Sequence, residues 1–179
     1  MNKIIAIVGM CGAGKSVACE YLENLGYKKV YFGGVTMEKL KEENLEVNPE
    51  NEKMMRERLR NEYGMAAYAT LSLPKINELI KDNNVVIDGL YSWDELKVLK
   101  EEFNDNIKLI CINTDKDLRY KRLSIREIRP LTNEEAKNRD ISEIENLAKG
   151  GPIAYADYFV LNNSTVEDFY KRMDEIIND

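Results

Sequence analysis

One stretch of this sequence combines the residue types needed to hold a chain of phosphates. Gly9-Met10-Cys11-Gly12-Ala13-Gly14-Lys15-Ser16 satisfies the pattern G-x-x-x-x-G-K-[ST] at every fixed position. Glycines at the turning points let successive backbone N–H groups face inward around an anion. A helix that starts at Lys15 aims its positive dipole end, and first-turn amides such as that of Val17, at the same point. Lys15 is expected to bridge the outer phosphates of ATP, and the Ser16 hydroxyl to bind Mg²⁺. The candidate nucleotide-binding residues are therefore Gly9, Cys11, Gly12, Ala13, Gly14, Lys15, Ser16 and Val17.

Magnesium needs a second protein oxygen from a neighbouring strand end. Asp88, after the apolar run Val85-Val86-Ile87 and before Gly89, is placed to supply one, since Mg²⁺ keeps several waters and takes one or two carboxylates. A cap on the following turn is the alternative role for Asp88. Arginine is the other candidate for phosphate chemistry. Arg119, Arg122, Arg126 and Arg129 fall within eleven residues, and Arg139 follows. Spacings of three and four would put Arg119, Arg122 and Arg126 on one helical face. The planar guanidinium fork suits phosphate oxygens, and positioned cations stabilise charge that develops during transfer. The alternative is a solvated face paired with acids such as Asp117 and Glu127. Arg119 and Arg122 are assigned to the nucleotide, and Lys15, Asp88, Arg122 and Arg126 to catalysis. Glu127 to Arg139 is polar and contains Pro130, as a mobile lid would be.

The elements that must position these groups alternate between strand and helix. Lys3–Val8, Tyr27–Phe32, Val85–Asp88, Ile107–Ile112 and Asp157–Leu161 read as five buried strands,. Helices are expected from Lys15 to Asn24 before Gly26, across Thr36–Lys81, to Phe103, from Asp115 to Ile125, towards Ala148, and at the end. Asn48-Pro49-Glu50 reads as a helix start, Gly64 as a break and Pro74 as a kink or restart. Ser92 with Glu95, Thr132 with Glu135, and Ser164 with Glu167 read as helix N-caps. Strands alternating with capped helices specify an α/β domain with a parallel sheet covered on both faces. No repeat or linker divides the chain, so residues 1–179 are expected to form one domain.

Composition narrows the function. The chain has 179 residues, 44% of them hydrophobic, with a formal net charge of -6. That charge argues against nucleic acid or an acidic membrane as partner. No apolar run reaches the roughly 20 residues of a membrane-spanning helix, and the first residues lack a signal-peptide pattern. There is no histidine, which removes imidazole bases and ligands. Cys11, Cys19 and Cys111 form neither a zinc pattern nor a disulfide framework, so a reducing, cytoplasmic setting is expected. Monomer and homodimer are both left open.

With these residues in view, the chain resembles P-loop kinases of the adenylate kinase and dephospho-CoA kinase group, and most of all an adenylate-kinase-related family of prokaryotic AAA-type ATPases. The resemblance runs from the phosphate loop through Val85–Gly89 and the arginine segment to Ala156-Asp157-Tyr158-Phe159-Val160-Leu161-Asn162-Asn163, which is similar to a segment beside the adenine in dephospho-CoA kinases. It implies a P-loop NTPase three-layer sandwich with sheet order 2-3-1-4-5. Residues 36–82 would be a helical acceptor-side insertion and 126–139 a lid, with Asn162 beside adenine. The implied activity is ATP- and Mg²⁺-dependent phosphoryl transfer to a small phosphorylated metabolite. One departure matters. Where relatives carry an acid and then an arginine after the second strand, this chain has Gly34 and Met37. Arg56 and Arg60, four apart, are the candidate replacements for gripping an acceptor, together with Arg129, Arg139 and Tyr91; Trp93 is a further aromatic there. The departure also keeps open an ATPase or switch that acts on a protein partner.

Overall fold

The structure, a computed structural model, describes residues 2–178; the outermost positions of the expected 1–179 domain, Met1 and Asp179, lie outside the described residues. In chain order the elements are β1 (Ile4–Val8), α1 (Lys15–Asn24), β2 (Lys28–Tyr31), α2 (Gly34–Glu42), α3 (Pro49–Tyr63), α4 (Ala67–Leu79) and β3 (Val85–Asp88). They continue with α5 (Trp93–Phe103), β4 (Ile107–Asn113), α6 (Lys116–Ile125), α7 (Asn133–Leu147), α8 (Gly150–Ala154), β5 (Tyr158–Leu161) and α9 (Val166–Ile177). The five strands form one sheet of order β2-β3-β1-β4-β5, and every ladder is parallel.

β1 explains why the sheet is covered on both faces. All five of its side chains, Ile-Ile-Ala-Ile-Val, are buried. Because successive residues point to opposite faces, Ile4, Ala6 and Val8 join one core with Val85, Ile87, Leu109, Ile76, Leu96 and Leu99. Ile5 and Ile7 join the other with Val86, Ile110, Ala18, Leu22, Phe169 and Met173. Helices α4 and α5 thus cover one face, and α1 and α9 the other. Each fully buried aliphatic side chain contributes roughly 1.5–3 kcal/mol, so the central strand anchors both layers. The register aligns the strand ends: Ile7 lies opposite both Asp88 and Ile110, and Asn113 opposite Leu161. The loops that begin at Gly9, Gly89 and Thr114 therefore share one edge, where open parallel sheets bind ligands.

Local chemistry ends the helices much as the sequence reading expects, with four differences. Asn48 caps α3 by accepting from the Asn51 amide at 2.9 Å, and both capping boxes form, at Ser92 and Thr132. The last helix is capped by Thr165 accepting from Asp168 N, one residue beyond the expected Ser164 and Glu167; Thr165 is also a hydroxyl residue, and the spacing alone does not choose between them. Pro74 does not restart the chain but sits inside α4. Its ring is on the solvent side, while buried Tyr68, Ala69, Ser72 and Ile76 hold the helix to the core, and that packing offsets the lost backbone bond. The expected lid is only partly irregular, because α7 starts at Asn133. The short α8 was not foreseen.

Ser92 does more than cap. Its hydroxyl accepts from Glu95 N at 3.0 Å and donates to Met65 O at 3.0 Å, tying the start of α5 to the turn before α4. Ser92→Ala is expected to lower stability by about 1–2 kcal/mol, measured by urea unfolding; a change below about 0.3 kcal/mol would show that the tie carries no net stabilisation.

Candidate active site

The phosphate loop fills the turn between β1 and α1. Gly9, Gly12 and Gly14 adopt φ of 139°, 81° and 104°, a region closed to most side chains. At Gly14 the need is doubly physical, since a Cβ there would run into the Asn162 side-chain nitrogen. Gly14 also offers α1 no side-chain cap, so the first-turn amides face the loop with their dipole uncompensated. Inside the loop the Ala13 amide donates to Met10 O at 3.2 Å, and the Lys15 ammonium donates to the same carbonyl at 3.1 Å.

Three neighbours hold this loop from outside. Arg119 donates to Cys11 O at 2.9 Å and grips Asp140 of α7 through both nitrogens, at 2.9 and 2.7 Å. Asn162, just past β5, donates to Ala13 O at 2.8 Å, and the Thr114 hydroxyl donates to the same oxygen at 2.9 Å. Cys11 completes the contact by packing with Leu123 and Ala136. All three cysteines are free and buried.

These contacts correct several expected roles. Arg119 is buried and its fork is occupied by Asp140 and a loop carbonyl, so it holds the loop instead of a phosphate oxygen. The Asn162 amide nitrogen is turned onto Ala13 O, which adds a loop-bracing role to its expectation as a neighbour of adenine. The Val17 side chain packs towards the core around α1, which leaves only its backbone amide for an anion. Arg126 is not on the helical face with Arg119 and Arg122. It is the extended residue at the end of α6 (φ -67°, ψ 144°), donating to Arg129 O at 2.6 Å. Arg122 stays beside the loop, with a nitrogen 3.0 Å from Asn162 O.

Around the loop, burial sets the electrostatics. Burial, then the nearby charge of Lys149, lowers the Lys15 ammonium to about 8, with Glu143 opposing, so at neutral pH it remains mainly charged. Asp88 is raised above the usual carboxylate range by burial, with Lys15 and Lys29 opposing. The donor set suits a magnesium-bound triphosphate: inward amides, an ammonium, the exposed Ser16 hydroxyl and the half-buried Asp88 carboxylate on adjacent strand ends.

From Gly89 a cavity of about 430 Å³ opens, and Arg56, Arg60, Tyr91, Arg129 and Arg139 all line it. The sequence reading did not single out Tyr31, Thr36, Glu52, Tyr68 and Glu143, which line it too. Glu52 pairs with Arg56 at 3.4 Å and with Arg129 at 3.5 Å; in sequence it looks like a first-turn acid of α3. Arg60 lies over the Tyr68 ring, 5.6 Å from its centroid, and its buried Nε has no hydrogen-bond partner. Tyr68 and Thr36 share a hydrogen bond of 2.7 Å. Trp93 does not reach the cavity lining; it packs edge-on to Tyr155, with 5.4 Å between centroids.

Fold and loop together define a P-loop NTPase with a kinase-like architecture. Shikimate kinase from Bacteroides thetaiotaomicron shares it, with a TM-score of 0.62 and 18% identity over 99% of each chain. Dephospho-CoA kinase from Campylobacter jejuni shares it with a TM-score of 0.57 and 20% identity over 99% of this chain and 96% of that one. The model of the AAA domain family matches residues 5–147. The chain belongs to that family and to the UPF0200 proteins. It is 34% identical to the UPF0200 protein of Thermococcus onnurineus over 97% of this chain and 96% of the relative. It is 35% identical to that of Sulfurisphaera tokodaii, covering 98% and 96%. No helix among the described residues is long and apolar enough to cross a membrane.

Loop support and phosphate contact should separate experimentally. Arg119→Met leaves Asp140 buried without its partner, and should cost about 3–5 kcal/mol of stability in urea unfolding. Lys15→Ala should change stability by less than about 1 kcal/mol yet abolish calorimetric binding of Mg-ATP. Equal effects of the two changes on stability would show that Arg119 is not the loop's brace.

Proposed function

We propose that this protein transfers the terminal phosphate of ATP, with Mg²⁺, to a small phosphorylated acceptor held in the arginine-lined cavity. The observation that carries this reading is convergence: Arg56 and Arg60 from α3, Arg129 from the lid segment and Arg139 from α7 face one cavity that begins beside Asp88. Guanidinium groups gathered at a pocket of about 430 Å³ suit a metabolite-sized anion, since small-molecule sites span roughly 300–1,000 Å³.

On this reading the loop amides and Lys15 hold the triphosphate, and Ser16 and Asp88 are the residues to hold magnesium. The metal, when bound, would neutralise charge on the phosphate oxygens. Arg56 and Arg60 orient the acceptor so that its oxygen faces the terminal phosphorus; positioning of this kind supplies much of the catalysis in phosphoryl transfer. Arg122 and Arg126 remain the proposed catalytic arginines, at the end of α6 between loop and lid. Closure of the lid segment over both ligands would exclude water and limit wasteful hydrolysis.

The test is incubation with Mg²⁺ and ATP labelled at the terminal phosphate, against nucleoside monophosphates, dephospho-CoA and other phosphorylated metabolites. Label should move to one acceptor class. Arg56→Ala and Arg60→Ala should each raise the acceptor KM by about tenfold or more, with the ATP KM within about twofold. If ADP and free phosphate accumulate while no acceptor is labelled, the transfer reading fails, and an ATPase working on a protein partner replaces it.

A further inference from the structure

The arginine-lined cavity has a second kind of wall. Its guanidinium groups come from α3, the lid segment and α7, but Tyr31 at the end of β2, Phe32 after it and Met37 of α2 line it as well. Met37 stands where the resemblance leads one to expect an arginine, so a polarizable thioether, good company for aromatic rings, takes the place of a charge. A cavity that joins such a wall to cations suits a ligand with one anionic end and one apolar end.

Tyr31 is the part of that wall able to receive a ring. A Cβ on Gly33 would lie 2.3 Å from its Cζ, and one on Gly89 would lie 3.6 Å from its Cε2. The ring is therefore laid against backbone that carries no side chain, and a ligand stacking on it removes little further freedom. Tyr31 nonetheless stays 50% exposed. The other cavity aromatics among the described residues offer no such surface. Phe32 is 1% exposed, Tyr68 carries the Arg60 guanidinium 5.6 Å from its centroid, and Tyr91 carries the Lys149 ammonium at 4.4 Å. A half-exposed tyrosine at a strand end could be a surface residue and no more. Its neighbour across the cavity lining argues otherwise. Arg56 and Arg129 already meet Glu52, and Arg139 meets Glu143, whereas Arg60 keeps a buried Nε with no partner among the described residues. An orphaned donor calls for an acceptor atom to complete it. One cavity thus holds both an open ring face and an unfilled cationic donor.

We propose that the molecule held in this cavity carries a planar aromatic or heteroaromatic ring, stacked on Tyr31, together with an anionic group at Arg60. The inference rests on the reading of this cavity as the acceptor site. It narrows the acceptor from phosphorylated metabolites at large to ring-bearing ones, and makes Tyr31 the residue that selects them over saturated and open-chain phosphates. Offset stacking supplies the preference, because a saturated ring of the same size fills the space without matching the quadrupole of the tyrosine.

The test is an NMR titration of the full chain, its phosphate loop filled with Mg-ADP, against phenyl phosphate and cyclohexyl phosphate, two probes that differ in the flatness of the ring. The wild type should bind phenyl phosphate about fivefold more tightly, the scale of one ring–ring contact. Tyr31→Phe should keep that ratio and Tyr31→Leu should bring it within about twofold of unity. Arg60→Gln should weaken both probes together by about tenfold, the scale of one charged hydrogen bond. Should Tyr31→Leu fail to fold, the wild-type ratio decides alone. Equal affinities for the two probes, a ratio that Tyr31→Leu leaves unmoved, or binding that Arg60→Gln does not weaken would each overturn the proposal. A wild type that binds neither probe overturns the acceptor reading of the cavity as well, an outcome distinct from equal binding of both.

Discussion

The arrangement of this site depends on a single buried ion pair. Arg119 extends from α6 with one nitrogen on the carbonyl of Cys11 and both on the carboxylate of Asp140. Burial works against its charge, but Asp140 prevails and holds the guanidinium protonated more firmly than usual. Buried pairs need geometry of this quality to offset desolvation. The pair fixes more than itself. Asp140 and Glu143 are three apart on the buried face of α7. Anchoring the first to the phosphate loop therefore sets where the second stands, and Glu143 in turn holds Arg139 and Lys149. One guanidinium fork thus relates the loop to the arginine-lined cavity.

Much of this was legible because it is local. The phosphate loop, the β-branched strand runs and the Ser92 and Thr132 capping boxes each depend on neighbours within a few residues, and each appears in the structure. The cavity arginines were legible by contrast, as clustered cations in an acidic chain. Which arginine does what was not. Arg119 and Arg122 look equivalent in sequence, yet Asp140, 21 positions away from Arg119, commits only one of them to a structural role. Arg126 keeps the helical spacing, but the helix stops at Ile125, which spacing cannot reveal. Lys149 lies beyond a left-handed alanine and before a five-residue helix, where no periodic pattern marks it as buried.

The cavity side of the sheet shows what occupies the turn after β2, where the resemblance leads one to expect an acid and an arginine. Tyr31 folds its ring against Gly33, where a Cβ would strike it, so the turn's backbone and an aromatic ring occupy the approach. Thr36 is bonded to Tyr68, and Tyr68 carries the Arg60 guanidinium on its face. On the reading proposed above, cationic grip passes from α2 to α3. Among the described residues Arg60 is left with a buried nitrogen unpartnered. An orphaned donor of this kind is costly unless a ligand completes it.

Net charge and local charge point in opposite directions here, and the opposition has a physical use. The sequence carries 32 acidic against 26 basic residues, so the exterior repels long polyanions. Arg60, Arg119, Lys15 and Lys149 are instead withdrawn into the loop and cavity walls, where low-dielectric surroundings concentrate their field. A nucleic acid strand approaching from outside meets the acidic surface first. On the reading proposed above, a small phosphorylated molecule that fits within about 430 Å³ is compact enough to reach these withdrawn cations. On that reading, discrimination by size follows from where the charges lie.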